Sequence, residues 1–444
     1  MDAIAKYFKF AERGTDWLTE ARGGLTTFMV MVYIVFVNAS ILGAGFHLDP
    51  AGMIAVSAGT ALVAGVMTIA MGAVANYPFA LAAGLGINAI VAFSLTGRGL
   101  SAAGAMGVIV LEGVVVTILV VAGLREAIMN AVPLALKRAI GAGIGLFILF
   151  IGFVNGGLIV TGSGIPVTAS FPTTTGQFVF LFGLALTLVL WVRKIKAALV
   201  ISILVTTIVA VLVGVSKIGD ISWAPSFTTL GQFDLGQVFS KLPIITALLV
   251  IFAIMLTDFF DTMGTATGVA AEAGLANEDG SVPGIGRVLI VDSIAAAVGG
   301  LAGVSSNTTY IESAAGVAEG AKTGFASVVT GVLFLLAIFL APLAGIIPAA
   351  ATAPALVLVG YLMFTQVKDI KVADMEDGIP ALLTMILMPL TYDITVGIGA
   401  GFISWVLIKV VKGKMSEIHW LMWAVAIAFA IYFGQAWIET ILPK

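Results

Sequence analysis

Cysteine is absent from this chain of 444 residues, and histidine occurs only at His47 and His419. The first absence excludes disulfides and thiolate metal sites. The second leaves two imidazoles far apart in the chain, in loops or at helix ends. No metal and no cofactor are expected. Charge is scarce as well: Asp, Glu, Lys and Arg make up 10% of residues, where a soluble domain carries about 25%. What fills the space is apolar, at 60% hydrophobic. Runs of about 20 apolar residues, each enough to cross a bilayer, recur along the whole length. The short alternating segments of a membrane barrel are missing. The composition therefore specifies an all-α polytopic membrane protein. A net charge of −3 says less than where the charges lie.

The opening stretch MDAIAKYFKFAERGTDWLTEARG is amphipathic and mixed in charge, with a full-length apolar run behind it, so it does not read as a cleavable signal peptide. Residues 1–22 read as a cytoplasmic surface helix, with Tyr7, Phe8, Phe10 and Trp17 resting at the membrane interface. Spans are expected at 23–45, 51–73, a short broken one at 79–95, then 101–123, 136–158, 176–193, 197–216, 243–270, 286–303, a second short one at 309–320, 324–346, 352–366, 379–391 and 393–411. A further hydrophobic helix at 417–441 either crosses or lies on the membrane.

Lysine and arginine orient these spans. Lys6, Lys9, Arg13 and Arg22 precede the first, and Arg125, Lys137 and Arg138 follow the fourth. Arg193, Lys194 and Lys196 separate the sixth from the seventh, while Lys368, Lys371, Lys409, Lys412 and Lys414 follow the twelfth and fourteenth. The loops at 46–50, 159–175 and 347–351 carry neither residue. The N-terminus is therefore expected in the cytoplasm, with Arg98, Lys217 and Lys241 as exceptions.

An internal repeat is visible. Asn76-Tyr-Pro-Phe-Ala-Leu-Ala-Ala-Gly84 resembles Asn307-Thr-Thr-Tyr-Ile-Glu-Ser-Ala-Ala-Gly316, with one residue inserted. Seven spans separate the two pieces, and an odd number inverts the second half relative to the first. Pro78, Gly84 and Gly86 predict that the third segment is half extended and half helical. Extended backbone at membrane depth is tolerated only in a cavity lining or inside protein. Two such segments would bring two helix N-termini together near the midplane.

Acids inside apolar spans cost about 2.5–3.5 kcal/mol or more each and usually face an internal cavity. Asp258 and Asp261 are three residues apart in the eighth span and share a helix face. Glu312 stands at the start of the tenth short helix, where N-terminal amides favour an anion. Glu319 reads as a surface neighbour of Lys322, Asp292 as a bond to an adjacent helix, and Glu112 as a buried ion partner of no specific role. Asn88 is either interhelical glue or part of a site.

Three stretches carry a family resemblance: Asn76 to Asn88, Phe260-Asp-Thr-Met-Gly-Thr265, and Thr308-Thr-Tyr-Ile-Glu-Ser-Ala-Ala-Gly-Val-Ala-Glu-Gly320. They resemble the AzgA-like hypoxanthine, adenine and guanine permeases of the second nucleobase–cation symporter family, over nearly the whole chain. Ala83 and Leu85 depart from the proline and methionine usual there. The resemblance implies fourteen spans in two inverted repeats of seven, with short strands in segments 3 and 10. After the N-terminal segment 1–22, a core domain would comprise 23–124 and 243–346, and a gate domain 125–216 and 352–411, with the helix 417–441 additional. The implied substrate contacts are Asp258, Glu312, Asn88 and Phe79, joined by Tyr310 and Ser313; Asp261, Glu312 and Asp258 are the implied proton-coupling acids. It further implies a homodimer in a lipid bilayer, the bacterial inner membrane, with no nucleic-acid partner.

Residue chemistry supports the same reading. A purine is apolar on its faces and carries donors and acceptors at its edge. A carboxylate accepts from two ring N–H groups through strong charge-assisted bonds, and Phe79, Phe259, Phe260 and Tyr310 can cover the faces. A carboxylate held away from water binds a proton more readily, which provides proton symport without a cofactor. The alternative is a channel or anion exchanger on the same fold. A membrane enzyme lacks support, since no GxSxG, HExxH or Walker lysine motif is present.

Overall fold

The computed structural model describes residues 2–123, 131–218, 223–277 and 281–441. Arg125 lies outside them. The chain is overwhelmingly helical, and among the described residues nine helices are long and apolar enough to cross a membrane.

The N-terminal region differs from expectation. It forms two short helices, α1 (Asp2–Tyr7) and α2 (Phe10–Arg13), and the first long helix, α3 (Trp17–Met31), already begins inside the stretch assigned to the surface. Asp16 caps α3 by accepting from the amides of Leu18 and Thr19, both at 2.9 Å. The four aromatics divide, and Tyr7 is exposed. Phe8 and Phe10 are buried, and Phe8, Phe10 and Trp17 meet the ring of Phe325 edge-on at 5.7, 5.7 and 4.8 Å. A mutual aromatic contact thus removes rings that a sequence pattern assigns to lipid.

After α3 follow α4 (Ile34–Phe46) and α5 (Pro50–Ala75). Asp49 and Pro50 start α5: the carboxylate accepts from Gly52 N at 2.8 Å, and proline's missing N–H costs nothing at that position. The chain then extends into β1 (Leu81–Ala83), turns into α6 (Leu85–Ala89), and continues through a wide turn at Ile90–Leu95. Next come α7 (Ala102–Val121) and α8 (Leu134–Asn155). The 159–175 loop contains a small antiparallel hairpin, β2 (Ile159–Val160) with β3 (Thr168–Ala169), which its composition did not suggest. Then follow α9 (Thr175–Val192), α10 (Ala198–Leu212), the short α11 (Leu235–Lys241), α12 (Ile244–Glu272) and α13 (Ile285–Leu301).

The second broken segment is β4 (Asn307–Thr309) followed by α14 (Ser313–Ala318). Beyond it lie α15 (Gly324–Ala337), which tightens into a narrower helix over Ile338–Gly345 around Pro342, then α16 (Ala349–Phe364), α17 (Met375–Thr391), α18 (Ile394–Val411) and α19 (Trp420–Ile441).

β1 and β4 pair antiparallel, with Leu81 opposite Thr309, Ala82 opposite Thr308 and Ala83 opposite Asn307. All six residues are buried. Two flanking bonds extend the ladder, Gly84 N to Ser306 O and Tyr310 N to Ala80 O, both at 2.9 Å. Each strand thereby satisfies the other's backbone where water is absent.

Small residues bring the surrounding helices into backbone contact. A side chain at Gly72 would meet the carbonyl oxygen of Gly324 at 2.2 Å, and one at Gly324 would meet that of Gly72 at 2.1 Å. Below this contact, Asn76 ends α5 in a left-handed conformation, and its side chain accepts from Gly324 N at 2.8 Å. Glu20, fully buried, accepts from Lys322 N at 2.8 Å and from Thr323 N and Ala326 N at 3.3 Å. A buried acid in α3 thus satisfies the open N-terminus of α15.

Gly72→Ala should destabilise the purified protein by about 1–3 kcal/mol, since α5 and α15 must separate. Gly268→Ala, on an exposed stretch of α12 with nothing within 4 Å of the added carbon, should stabilise by about 0.5–1 kcal/mol through helix propensity. Unfolding curves of both variants in the same detergent check this; equal effects would contradict the packing account.

Candidate functional site

The strand pair places two helix starts and the strands' ends beside α12. Between this group and helices α8, α9, α10 and α16 lies a cavity of about 630 Å³, within the range of small-molecule sites. One wall is formed by Tyr33, Gly84, Asp261, Thr309, Tyr310 and Glu312; Lys137, Trp191 and Gln366 belong to the opposite side. The lining is mostly apolar, so its few polar groups stand out.

Glu312 sits immediately before α14 but its side chain makes no capping bond. It accepts instead from the Tyr33 hydroxyl at 2.7 Å. Tyr33 is fully buried at the break between α3 and α4, a position sequence reasoning did not single out. Tyr310 lines the cavity and donates from its hydroxyl to Ala83 O at 2.5 Å, bracing the two broken segments against each other. Phe260 lines the same cavity, and the Lys137 ammonium stands 5.6 Å from its ring centroid. Lys137 was read only as a marker of orientation, because no motif surrounds it.

The structure separates the two acids of α12. Asp261 lines the cavity, whereas Asp258 does not and is 1% exposed. Three residues along an α-helix leave side chains about 60° apart. That angle is enough to send one carboxyl into the cavity and leave the other buried outside its lining. Of the two acids expected at the site, the one that lines the cavity is Asp261.

The other expected contacts are also set back. Phe79 is fully buried and stacks on Tyr77, with centroids 4.9 Å apart and planes at 20°. Ser313 accepts from Ala80 N at 3.0 Å and so fastens α14 to the approach of β1. Asn88 is buried, and neither of its side-chain polar atoms has a partner. These residues shape the site from behind. Asp292, expected to bond an adjacent helix, does so through Thr262 and also holds β4: it accepts from Thr309 N at 2.9 Å and from the Thr309 hydroxyl at 2.8 Å. Glu319 pairs with Lys196, not with Lys322.

This architecture, apolar spanning helices around a cavity at two interrupted segments, defines an integral membrane permease. Residues 19–400 match the model of the Permease family, Xan_ur_permease, and the chain belongs to that family; it is a transporter, not an enzyme. It is 40% identical to the guanine/hypoxanthine permease PbuG of Bacillus subtilis (strain 168), over 96% of this chain and 98% of that one. It is 38% identical to the adenine permease AdeQ of Escherichia coli (strain K12), over 96% and 95%. In fold it is similar to the transmembrane domain of the cyanobacterial bicarbonate transporter BicA, with a TM-score of 0.64 at 13% identity, over 86% of this chain and 96% of that one. The resemblance read from the three motifs is borne out at the level of the family.

Asp292→Ala should destabilise the protein by about 1–3 kcal/mol, because the buried Thr309 amide loses its acceptor. Thermal unfolding of the purified variant checks this, and an unchanged transition would contradict the anchoring role.

Proposed function

We propose that the chain imports purine nucleobases (guanine, hypoxanthine or adenine) by proton symport across the bacterial inner membrane, with its N-terminus in the cytoplasm. The observation that carries this reading is that Asp261 and Glu312, from α12 and the start of α14, open into one cavity beside the strand pair. Two acids on one wall suit the N–H edge of a purine, and Phe260, Tyr310 and Tyr33 supply apolar faces. The relatives named guanine/hypoxanthine and adenine permease support the substrate class.

In this reading Asp261 and Glu312 contact the base, Tyr310 covers it, and Asn88, Phe79 and Ser313 position the segments. The chain comprises fourteen segments as two inverted repeats of seven, with the core domain of segments 1–4 and 8–11 moving against a gate domain of segments 5–7 and 12–14. Gly145 and Gly360 support close contact within the gate: a side chain at either would meet the other's carbonyl oxygen at 2.6 or 2.5 Å. The gate is also the proposed dimer contact. On the expected topology Lys137, Trp191 and Gln366 lie at the cytoplasmic side of the cavity, while the ion pair of Arg98 with Asp393 closes the other side. An anion exchanger would place its substrate against Asp261 and Glu312, which repel it.

Purified protein should bind guanine, hypoxanthine or adenine and not uracil. Glu312→Gln and Asp261→Asn should each weaken purine binding by about 1.5–3 kcal/mol, roughly 10- to 150-fold, since a charged acceptor is lost. Titration calorimetry on folded variants decides it. Wild-type affinity in both variants would refute the site, and the absence of purine binding to the wild type would refute the substrate class.

A further inference from the structure

A lysine at the start of a helix, turned into an apolar cavity, is placed against ordinary preference. Lys137 lies in the first turn of α8, where the helix dipole disfavours a cation. It is half-buried and lines the cavity. Among the described residues its ammonium has no hydrogen-bond acceptor and no acid in ion-pair reach; its contact is the Phe260 ring, 5.6 Å away at the centroid. The next residue differs: the Arg138 guanidinium donates to Asp369 O at 2.5 Å. Either cation would serve to orient the helix in a membrane, so orientation alone does not account for one of them facing the cavity.

The packing of α8 keeps this lysine's surroundings open and polar. Lys137, Gly141 and Ile144, spaced four and three residues apart, share the helix face that lines the cavity. Gly141 leaves that face bare, and a side chain there would meet Gln366 Oε1 at 2.5 Å. The Gln366 amide therefore lies on α8 one turn from Lys137. Asp261 and Glu312 line the other wall. Phe260, which the ammonium meets, directly precedes Asp261, so Lys137 reaches the helix that carries an acid of that wall. Cation and carboxylates thus line one cavity without pairing. The gap between them fits a neutral molecule with donors on one edge and acceptors on another.

We propose that Lys137 selects 6-oxopurines, the class of hypoxanthine and guanine, over adenine. This deepens the purine reading above and rests on it. A 6-oxopurine presents N–H groups at N1 and N9, and two acceptors, O6 and N7, side by side on another edge. The carboxylates accept at the N–H groups. The ammonium donates to O6 and N7, the pairing by which a lysine reads guanine in the major groove of DNA. Adenine carries a 6-amino group in place of O6. An ammonium has three donors and no acceptor, so donor would face donor, and a buried donor left without an acceptor is costly. Gln366 can turn either end of its amide to the base and so favours neither class. The discrimination falls to Lys137.

The test is titration calorimetry of the purified full-length protein with hypoxanthine, guanine and adenine. The wild type should bind both 6-oxopurines about 10-fold or more tighter than adenine, the scale of one hydrogen bond to a charged group. Lys137→Met, an unbranched side chain without donors, should weaken hypoxanthine and guanine by about the same factor and leave adenine little changed. Lys137→Gln supplies an acceptor for the 6-amino group, and should strengthen adenine binding while weakening hypoxanthine. A gain for one ligand does not arise from misfolding. An equal loss for all three purines in both variants, or a wild type that binds adenine as tightly as hypoxanthine, overturns selection by Lys137 and leaves the purine site standing. A wild type that binds none of the three refutes the purine reading and this inference with it.

Discussion

The pairing of β1 with β4 is the constraint on which the rest of the molecule depends. Two helices are interrupted inside an apolar body, and an interruption there leaves backbone groups without water. The interruptions satisfy each other: three residues of one segment lie opposite three of the other, with Gly84 and Tyr310 extending the ladder. Neither segment could be extended alone. Side chains then complete what the backbone begins, with Asp292 holding Thr309, Ser313 holding Ala80, and Tyr310 holding Ala83. The cavity exists because helices start anew just beyond these strands and leave room between them.

Helix packing around the pair relies on small residues rather than on shape-matched large ones. Lipid chains are as apolar as leucine, so burial alone does little to bring helices together in a membrane. Close backbone approach at Gly72 and Gly324, and at Gly145 and Gly360, substitutes for it. Polar groups fix the register of the contacts. Asn38 donates to Thr60 Oγ1 at 2.8 Å and to Val304 O at 3.0 Å, tying α4 to α5 and to the turn before β4. The buried acids thus divide by environment: Glu20 and Asp292 are surrounded by donors and act as anchors, while Asp261 and Glu312 open into the cavity.

Much of this was legible in the chain itself. The scarcity of charge and the apolar runs fix a helical membrane protein. The similarity of Asn76–Gly84 to Asn307–Gly316 marks the two broken segments, and the Pro78, Gly84 and Gly86 punctuation marks the first as extended. What remained hidden depends on phase and partner. Asp258 and Asp261 have the same spacing signal whichever of them meets the cavity, because it is the roll of α12 against β4 that decides. Phe8, Phe10 and Trp17 read as interfacial until Phe325, some three hundred residues away, supplies their partner. Tyr33 and Lys137 have no local pattern to mark them; a tertiary contact alone shows that one faces Glu312 and the other Phe260.

The central claim is that a base is held on the cavity wall formed by Asp261 and Glu312, in front of the strand pair. The most direct measurement is a structure of the protein with hypoxanthine bound. The account predicts the purine edge within hydrogen-bonding distance of both carboxyls, with its ring against the aromatic lining and Asp258 still buried outside the cavity. A base seated against Asp258, with Asp261 and Glu312 left uncontacted, would contradict it.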